Sequence, residues 1–228
     1  MCKKHPVIIF TGSRLPKEAQ QLAIEYGASV RYVPLIETVL RNTDAPDFGR
    51  YDWLIFTSRN SAEAFCRLDL KTHAKIAAVG DKTAELLEEH GYPVDFIPSI
   101  FSADVFVREF PEIAGGERCL FVRGALAKDT ILSMPLEIDE WTVYDTVKQT
   151  EHAKQLAQLE DVIIIFASPS AVSAYIEAGG DFRNIQSAAI GHITERAIMD
   201  AGGTVHFRPQ TYTYIEIIHE IMKGSCNS

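Results

Sequence analysis

Short, continuous apolar runs alternate along this chain with stretches in which apolar residues recur every three or four positions. The runs are Val7-Ile-Ile-Phe10, Trp53-Leu-Ile-Phe56, Cys119-Leu-Phe-Val122 and Val162-Ile-Ile-Ile-Phe166, and runs of this length suit parallel strands covered on both faces. Between the runs, Ala19, Leu22, Ala23 and Tyr26 fall at i, i+3, i+4 and i+7, and Gly27 follows where a left-handed residue ends a helix. Ala62, Phe65 and Cys66 mark a second helix, and Val172, Tyr175 and Ile176 a third. Ile76 to Val79 and Ala188 to Ile190 read as further strands, each running into a glycine. Strands alternating with helices predict an α/β fold built on parallel sheets flanked by helices.

The pattern is stated twice. Ala78-Val-Gly80-Asp-Lys-Thr83 returns as Ala189-Ile-Gly191-His-Ile-Thr194, and Gly91 and Pro98 return as Gly202 and Pro209, all at an offset of 111 residues. Upstream, Leu54-Ile-Phe-Thr57-Ser58 parallels Ile164-Ile-Phe-Ala-Ser168 at an offset of 110. A shorter strand-helix-strand unit precedes each copy, from Val7 to Val33 and from Cys119, through a helical stretch around Lys128 to Ser133, to Val147. The duplication predicts two similar lobes, and two such lobes commonly make a cleft. The pattern leaves open which short unit packs with which long unit, since both wirings obey the right-handed crossover rule.

Composition narrows the classes. With 228 residues, 46% hydrophobic and 23% charged, the chain is ordinary for a globular protein of two modest domains, and no apolar run reaches the length of a membrane span. Only four apolar residues follow the basic start before Thr11, too few for a secretion signal, so a cytoplasmic location is expected. Cys2, Cys66, Cys119 and Cys226 show no C-x-x-C spacing, and neither a disulfide frame nor a metal site is suggested. A formal charge of -9 without a basic cluster argues against nucleic acid.

The chemistry-bearing residues fall where strands end and helices begin: Thr11 to Arg14, Thr57 to Asn60, Gly80 to Thr83, Ser168 and Ser170, Gly191 and Thr194. In parallel sheets ligands sit at these ends, where unpaired N–H groups favour carboxylates or phosphates. Taken singly, Ser, Thr and Asn there are usually helix caps. No dinucleotide fingerprint, P-loop, nucleophile elbow or H-E-x-x-H is present. His192 is unpartnered in sequence, and Tyr144 sits in a Thr- and Val-rich strand where packing is its default role.

In order along nearly the whole chain, Leu-Ile-Phe-Thr-Ser58, Val-Gly80-x-x-Thr83, Leu-Phe-Val-Arg123-Gly124, Val-Tyr144-x-Thr146, Phe-x-Ser168-Pro-Ser170 and Ile-Gly191-x-x-Thr194 closely resemble the uroporphyrinogen-III synthases. The resemblance implies a bilobed fold in which the first short unit joins the second long one. It puts 1–36 with 148–228 in one lobe and 37–147 in an inserted lobe, with two extended connectors and the binding cleft between the lobes. It implies a monomeric enzyme without cofactor or metal, and no nucleic-acid or membrane partner. Its substrate would be hydroxymethylbilane, a linear tetrapyrrole with eight carboxylates, closed to uroporphyrinogen III with ring D inverted and water released. Loss of the terminal hydroxyl gives an azafulvene; attack by the substituted carbon of ring D gives a spiro intermediate, which fragments and recloses. By position Tyr144 matches the residue that hydrogen-bonds the departing hydroxyl. Thr57, Ser58, Thr83, Ser168, Ser170 and Thr194 match binding loops, with Arg14, Lys82 and Arg123 as further donors. The family's Arg-Pro is here split by Leu15, and the basic residue expected after Arg123-Gly124 is Lys128. The net charge does not forbid an anionic ligand. Screening confines general repulsion to about 8 Å, whereas a charge-assisted hydrogen bond contributes roughly 1.5 to 3 kcal/mol.

Overall fold

Residues 5–226 are described by a computed structural model, without the side chains of 225 and 226, so the N-terminal Cys2 lies outside the described residues. The chain divides into two compact units. Unit one comprises Met1–Glu37 and Val147–Ser228, and unit two Thr38–Thr146. Unit one holds strands β1 (Val7–Phe10) and β2 (Ser29–Tyr32) around helix α1 (Lys17–Glu25). Unit two carries β4 (Trp53–Phe56), α2 (Arg59–Cys66), β5 (Lys75–Ala78), α3 (Asp81–Glu89), α4 (Ala103–Ala114) and β6 (Cys119–Gly124). The chain passes from one unit to the other within β3 (Ile36–Leu40) and back within β7 (Ile138–Lys148). Unit one then continues with α5 (Thr150–Leu156), β8 (Val162–Phe166), α6 (Pro169–Glu177), β9 (Ile185–Ala189), α7 (His192–Asp200), β10 (Val205–Phe207) and α8 (Tyr214–Cys226).

Each unit is built on a five-stranded sheet, ordered β10-β9-β8-β1-β2 in unit one and β3-β7-β6-β4-β5 in unit two. β1 pairs in parallel with β2 and with β8, so the first short unit does join the second long one. In unit two β4 pairs in parallel with β5 and β6, and β6 with β7. The two sheets therefore share an arrangement assembled in different chain order: the short unit comes first in unit one and last in unit two.

Continuous apolar runs are needed because both faces of these strands are covered. In unit two Leu54, Phe56, Leu120 and Val122 pack into one core, and their neighbours Trp53, Ile55, Cys119 and Phe121 into another on the opposite face. Successive strand side chains point to opposite faces, so every residue of the run must be apolar. Unit one repeats this with Ile9, Ile164 and Phe166 on one face and Ile8, Phe10, Ile163 and Ile165 on the other. Gly91 and Gly202, the repeated glycines after α3 and α7, have φ of +84° and +79°, the left-handed turn that leads each helix back to the sheet.

Three elements differ from the sequence expectation. Val205–Phe207 forms β10, but the matching Val94 to Phe96 makes only an isolated bridge to Ala77. Pro93, where the other copy has Thr204, has no N–H to lengthen a ladder there. The stretch around Lys128 to Ser133 is a 3-10 turn, Asp129–Ser133, with only Ile131 buried. Helix α5 gives little periodic signal, because it is seven residues long and buries only Ala153 and Leu156. No helix among the described residues is long and apolar enough to cross a membrane.

Candidate functional site

In unit two the segments that follow β4 and β6, together with Tyr144 of β7, line an open cavity of about 220 Å³. Thr57, Ser58, Lys128 and Tyr144 supply its polar wall, and Ala103, Leu126 and Ile131 its apolar wall. Ser58 begins α2. Its hydroxyl accepts the Ser61 N–H at 3.2 Å, while Ser61 Oγ donates to the Ser58 carbonyl at 2.8 Å, a reciprocal cap that fixes the turn after β4.

Tyr144 is aimed by β6. The β6–β7 ladder pairs Arg123 with Thr142 but Gly124 with Tyr144, so β7 carries one extra residue at this point and the ring is redirected. A Cβ on Gly124 would lie 2.2 Å from Tyr144 Cζ and 2.6 Å from its hydroxyl. Only glycine lets the ring lie across the strand. The phenol oxygen thus reaches 3.5 Å from Ser58 Oγ, the outer edge of hydrogen-bonding distance, which leaves it able to bind another group.

The basic residues of this unit divide by role. Arg123 is 7% exposed, and its guanidinium donates to Asp129 at 2.9 Å, to Glu140 and to the Ala127 carbonyl. These bonds hold the loop after β6 against β7 and leave little of the guanidinium exposed. Lys128, carried on that loop, is exposed on the cavity wall and makes no ion pair among the described residues. Lys82 pairs with Glu85, Nζ to Oε2 at 2.7 Å, and this contact raises its pKa.

In unit one Ser168 caps α6 by accepting the Ala171 N–H at 3.3 Å, Pro169 opens the helix, and Ser170 is half-buried in its first turn. Thr11 is fully buried and donates to the Ile165 carbonyl at 2.8 Å, so it ties β1 to β8. Arg14 is exposed on the loop after β1. Gly80 and Gly191 are the N-caps of α3 and α7, both in extended backbone and without a side-chain cap bond. Thr83 and Thr194, three residues on, are buried at 6% and 4% exposure. Their burial fits wedging the first turn better than reaching outward.

Several contacts have no trace in the residue pattern. Leu126 is 66% exposed on the cavity wall. Tyr214, the first residue of α8, brings its hydroxyl to where a Cβ on Gly12 would be 2.5 Å away, and its ring lies 5.8 Å from that of Phe10. Burial, with a smaller contribution from Tyr32, raises the Tyr214 pKa. The signal available in the sequence was the glycine two residues beyond each apolar run, Gly12 after Phe10 and Gly124 after Val122. No group of three or more His, Cys, Asp or Glu among the described residues is placed to hold a metal ion.

A family model described as uroporphyrinogen-III synthase HemD matches residues 17–218. The chain belongs to the uroporphyrinogen-III synthase family. A uroporphyrinogen-III synthase from Chlorobaculum parvum is 29% identical over 225 residues, covering 87% of this chain and 92% of that protein. One from Synechococcus elongatus is 35% identical over 108 residues, 44% of this chain and 38% of that protein. Two solved structures share the fold. The Helicobacter pylori uroporphyrinogen-III synthetase gives a TM-score of 0.74 at 17% identity, covering 96% of this chain and 99% of the other. A mutant uroporphyrinogen III synthase from Thermus thermophilus gives 0.66 at 14% identity, covering 97% and 99%.

Proposed function

We propose that this chain is a uroporphyrinogen-III synthase, a cyclising lyase that converts hydroxymethylbilane to uroporphyrinogen III, releasing water and inverting ring D. The observation that carries the reading is the family match across residues 17–218. The cavity beside Tyr144 supports a division of labour. The terminal hydroxyl of the substrate accepts a hydrogen bond from the Tyr144 phenol and leaves as water. The azafulvene that remains is attacked by the substituted carbon of ring D; the resulting spiro intermediate fragments and recloses with that ring reversed.

The substrate is itself reactive, so the protein's main contribution is to hold the productive carbon at attack distance. Lys128 supplies a positive charge for a carboxylate, with Thr57 and Ser58 as neutral donors beside it. Arg123 acts indirectly by fixing the loop that carries Lys128. In unit one Arg14, Ser168 and Ser170 are the proposed carboxylate donors. Thr83, Thr194 and Lys82 are assigned the smaller part, because two are buried and the third is paired. The proposal includes a monomer acting in the cytoplasm without cofactor, which sedimentation and cell fractionation test.

Freshly generated hydroxymethylbilane, incubated with the protein and followed by isomer separation, decides the reading. Type III product above the spontaneous type I background is the expected outcome. Type I alone would refute it.

A further inference from the structure

The duplication extends beyond the glycine and threonine loops to a pair of exposed aromatic rings. Phe101 and Tyr212 stand at the same 111-residue offset as Gly80 and Gly191, and so do the residues after them, Ser102 and Thr213. Ser102 caps α4 by accepting the Asp104 N–H at 3.2 Å, and Thr213 caps α8 by accepting the Glu216 N–H at 3.2 Å. In both units, therefore, an aromatic residue immediately precedes the cap of the helix that follows the repeated loop.

At that position an apolar side chain ordinarily folds back onto the fourth residue of the helix and is buried as a staple. Here the rings are not buried: Phe101 is 58% exposed and Tyr212 52%. The residue Phe101 would staple to, Phe106, is fully buried, and its ring pairs are with Phe96 at 5.6 Å and Phe110 at 4.7 Å. What the two aromatics do meet is the repeated glycine of their own unit. A Cβ on Gly191 would touch the Tyr212 ring at 3.7 Å, and one on Gly80 would touch Phe101 Cβ at 4.0 Å. Tyr212 is further oriented by His192, whose Nδ1 lies 3.2 Å from the phenol oxygen. From Phe101 the chain runs within two residues to Ala103 in the cavity wall.

A single exposed aromatic is commonplace. Two at equivalent positions of a duplicated unit, each beside the glycine that caps a helix start, call for a common cause. A planar, electron-rich pyrrole ring would use this feature, its face lying against the aromatic side chain.

We infer that Phe101 and Tyr212 are each a substrate contact, offering a ring face to a pyrrole of the linear tetrapyrrole. The inference rests on the activity proposed above and adds to it the groups that hold the pyrrole faces. A ring held by its face is restricted in orientation, which bears on whether the terminal pyrrole inverts.

The test compares parent, Phe101→Ala and Tyr212→Ala with the ring-preserving Phe101→Tyr and Tyr212→Phe. KM for hydroxymethylbilane, single-turnover rate, uroporphyrinogen III affinity, isomer ratio and thermal midpoint are read together. Each alanine variant should raise KM and weaken product binding by about three- to tenfold, the equivalent of one aromatic contact. The type I share should rise, the single-turnover rate at saturation should change less than KM, and the midpoint should hold. The ring-preserving variants should lose less than the alanine variants, with Tyr212→Phe showing the smaller cost of the missing His192 contact. Parent-like KM and affinity in both alanine variants overturn the inference while leaving the activity standing, and so does equal loss in the ring-preserving variants. A parent that makes no type III product removes the activity reading, and the inference with it.

Discussion

Replacing Gly124 by alanine tests how the phenol is positioned without touching the phenol. The added Cβ would sit 2.2 Å from Tyr144 Cζ and 2.6 Å from both Cε2 and the hydroxyl. Ordinary carbon contacts are about 3.5 to 4.0 Å, so the ring has to retreat by roughly 1.3 to 1.8 Å. A misplacement of about 1 Å can cost on the order of 100-fold in rate. Because hydroxymethylbilane loses its hydroxyl readily, an effect of about 10- to 100-fold on single turnover is expected. Overpacking costs about 1 to 3 kcal/mol, offset by about 0.4 to 1 kcal/mol from the stiffer unfolded chain at a site whose φ suits alanine. The net is a loss of about 1 to 2 kcal/mol in denaturant unfolding. The decisive measurement is a double-mutant cycle with Tyr144→Ala, in which the clash has no partner and Gly124→Ala should cost little in stability. If the glycine substitution leaves the parent's rate unchanged, or costs as much without the ring as with it, the proposed positioning is wrong.

Tyr144→Phe keeps the ring over Gly124 but removes the donor. Turnover should fall toward the lower end of the roughly 100- to 10,000-fold range of general-acid effects, or less, while product affinity and isomer identity are retained; unchanged single turnover would take the phenol out of the chemistry. Lys128→Ala should weaken product binding by about 1.5 to 3 kcal/mol, with substantial recovery in Lys128→Arg, as read by titration at two salt concentrations; equal affinity at both would show that this cation meets no carboxylate. Acid stability should depend in part on Asp139, whose pKa is lowered from 3.8 chiefly by the Tyr51 hydrogen bond and then by Arg118. The contribution of a depressed carboxylate is present above its unfolded pKa and lost as pH falls through the folded one, so Asp139→Asn should flatten the stability curve below about pH 4; a parental slope there would contradict it.

The parallel sheets were legible because continuous apolar runs have one economical use in a covered sheet, and Ile9 or Ile55 could not face water without leaving a hole in a core. The duplicated loops were legible because glycine at a helix start and glycine at a left-handed turn leave recognisable spacings. The functions of the basic residues were not. Arg123 and Lys128 differ by five positions and look interchangeable as donors, yet one is enclosed by Asp129, Glu140 and a carbonyl while the other stands open. Those acidic partners lie six and seventeen residues away, so only folding shows which cation is already satisfied. Thr83 and Thr194 were equally ambiguous, because spacing places a hydroxyl on the first turn without saying which way it faces. Tyr214 lay beyond reach for a simpler reason: it meets Gly12 across some two hundred residues of sequence.

The bare strand-end glycines of the two units work as matching sockets, and each is filled by a phenol brought from a different source. Gly124 receives Tyr144 from the neighbouring strand, whereas Gly12 receives Tyr214 from a helix. The receptacle is thus alike in the two halves while the plug comes from a different element in each, so the two plugs need not share a role. One plug is submerged, its proton held more tightly by burial, and serves as mortar. The other is left half in the open beside Ser58, where the proposed reaction needs a donor.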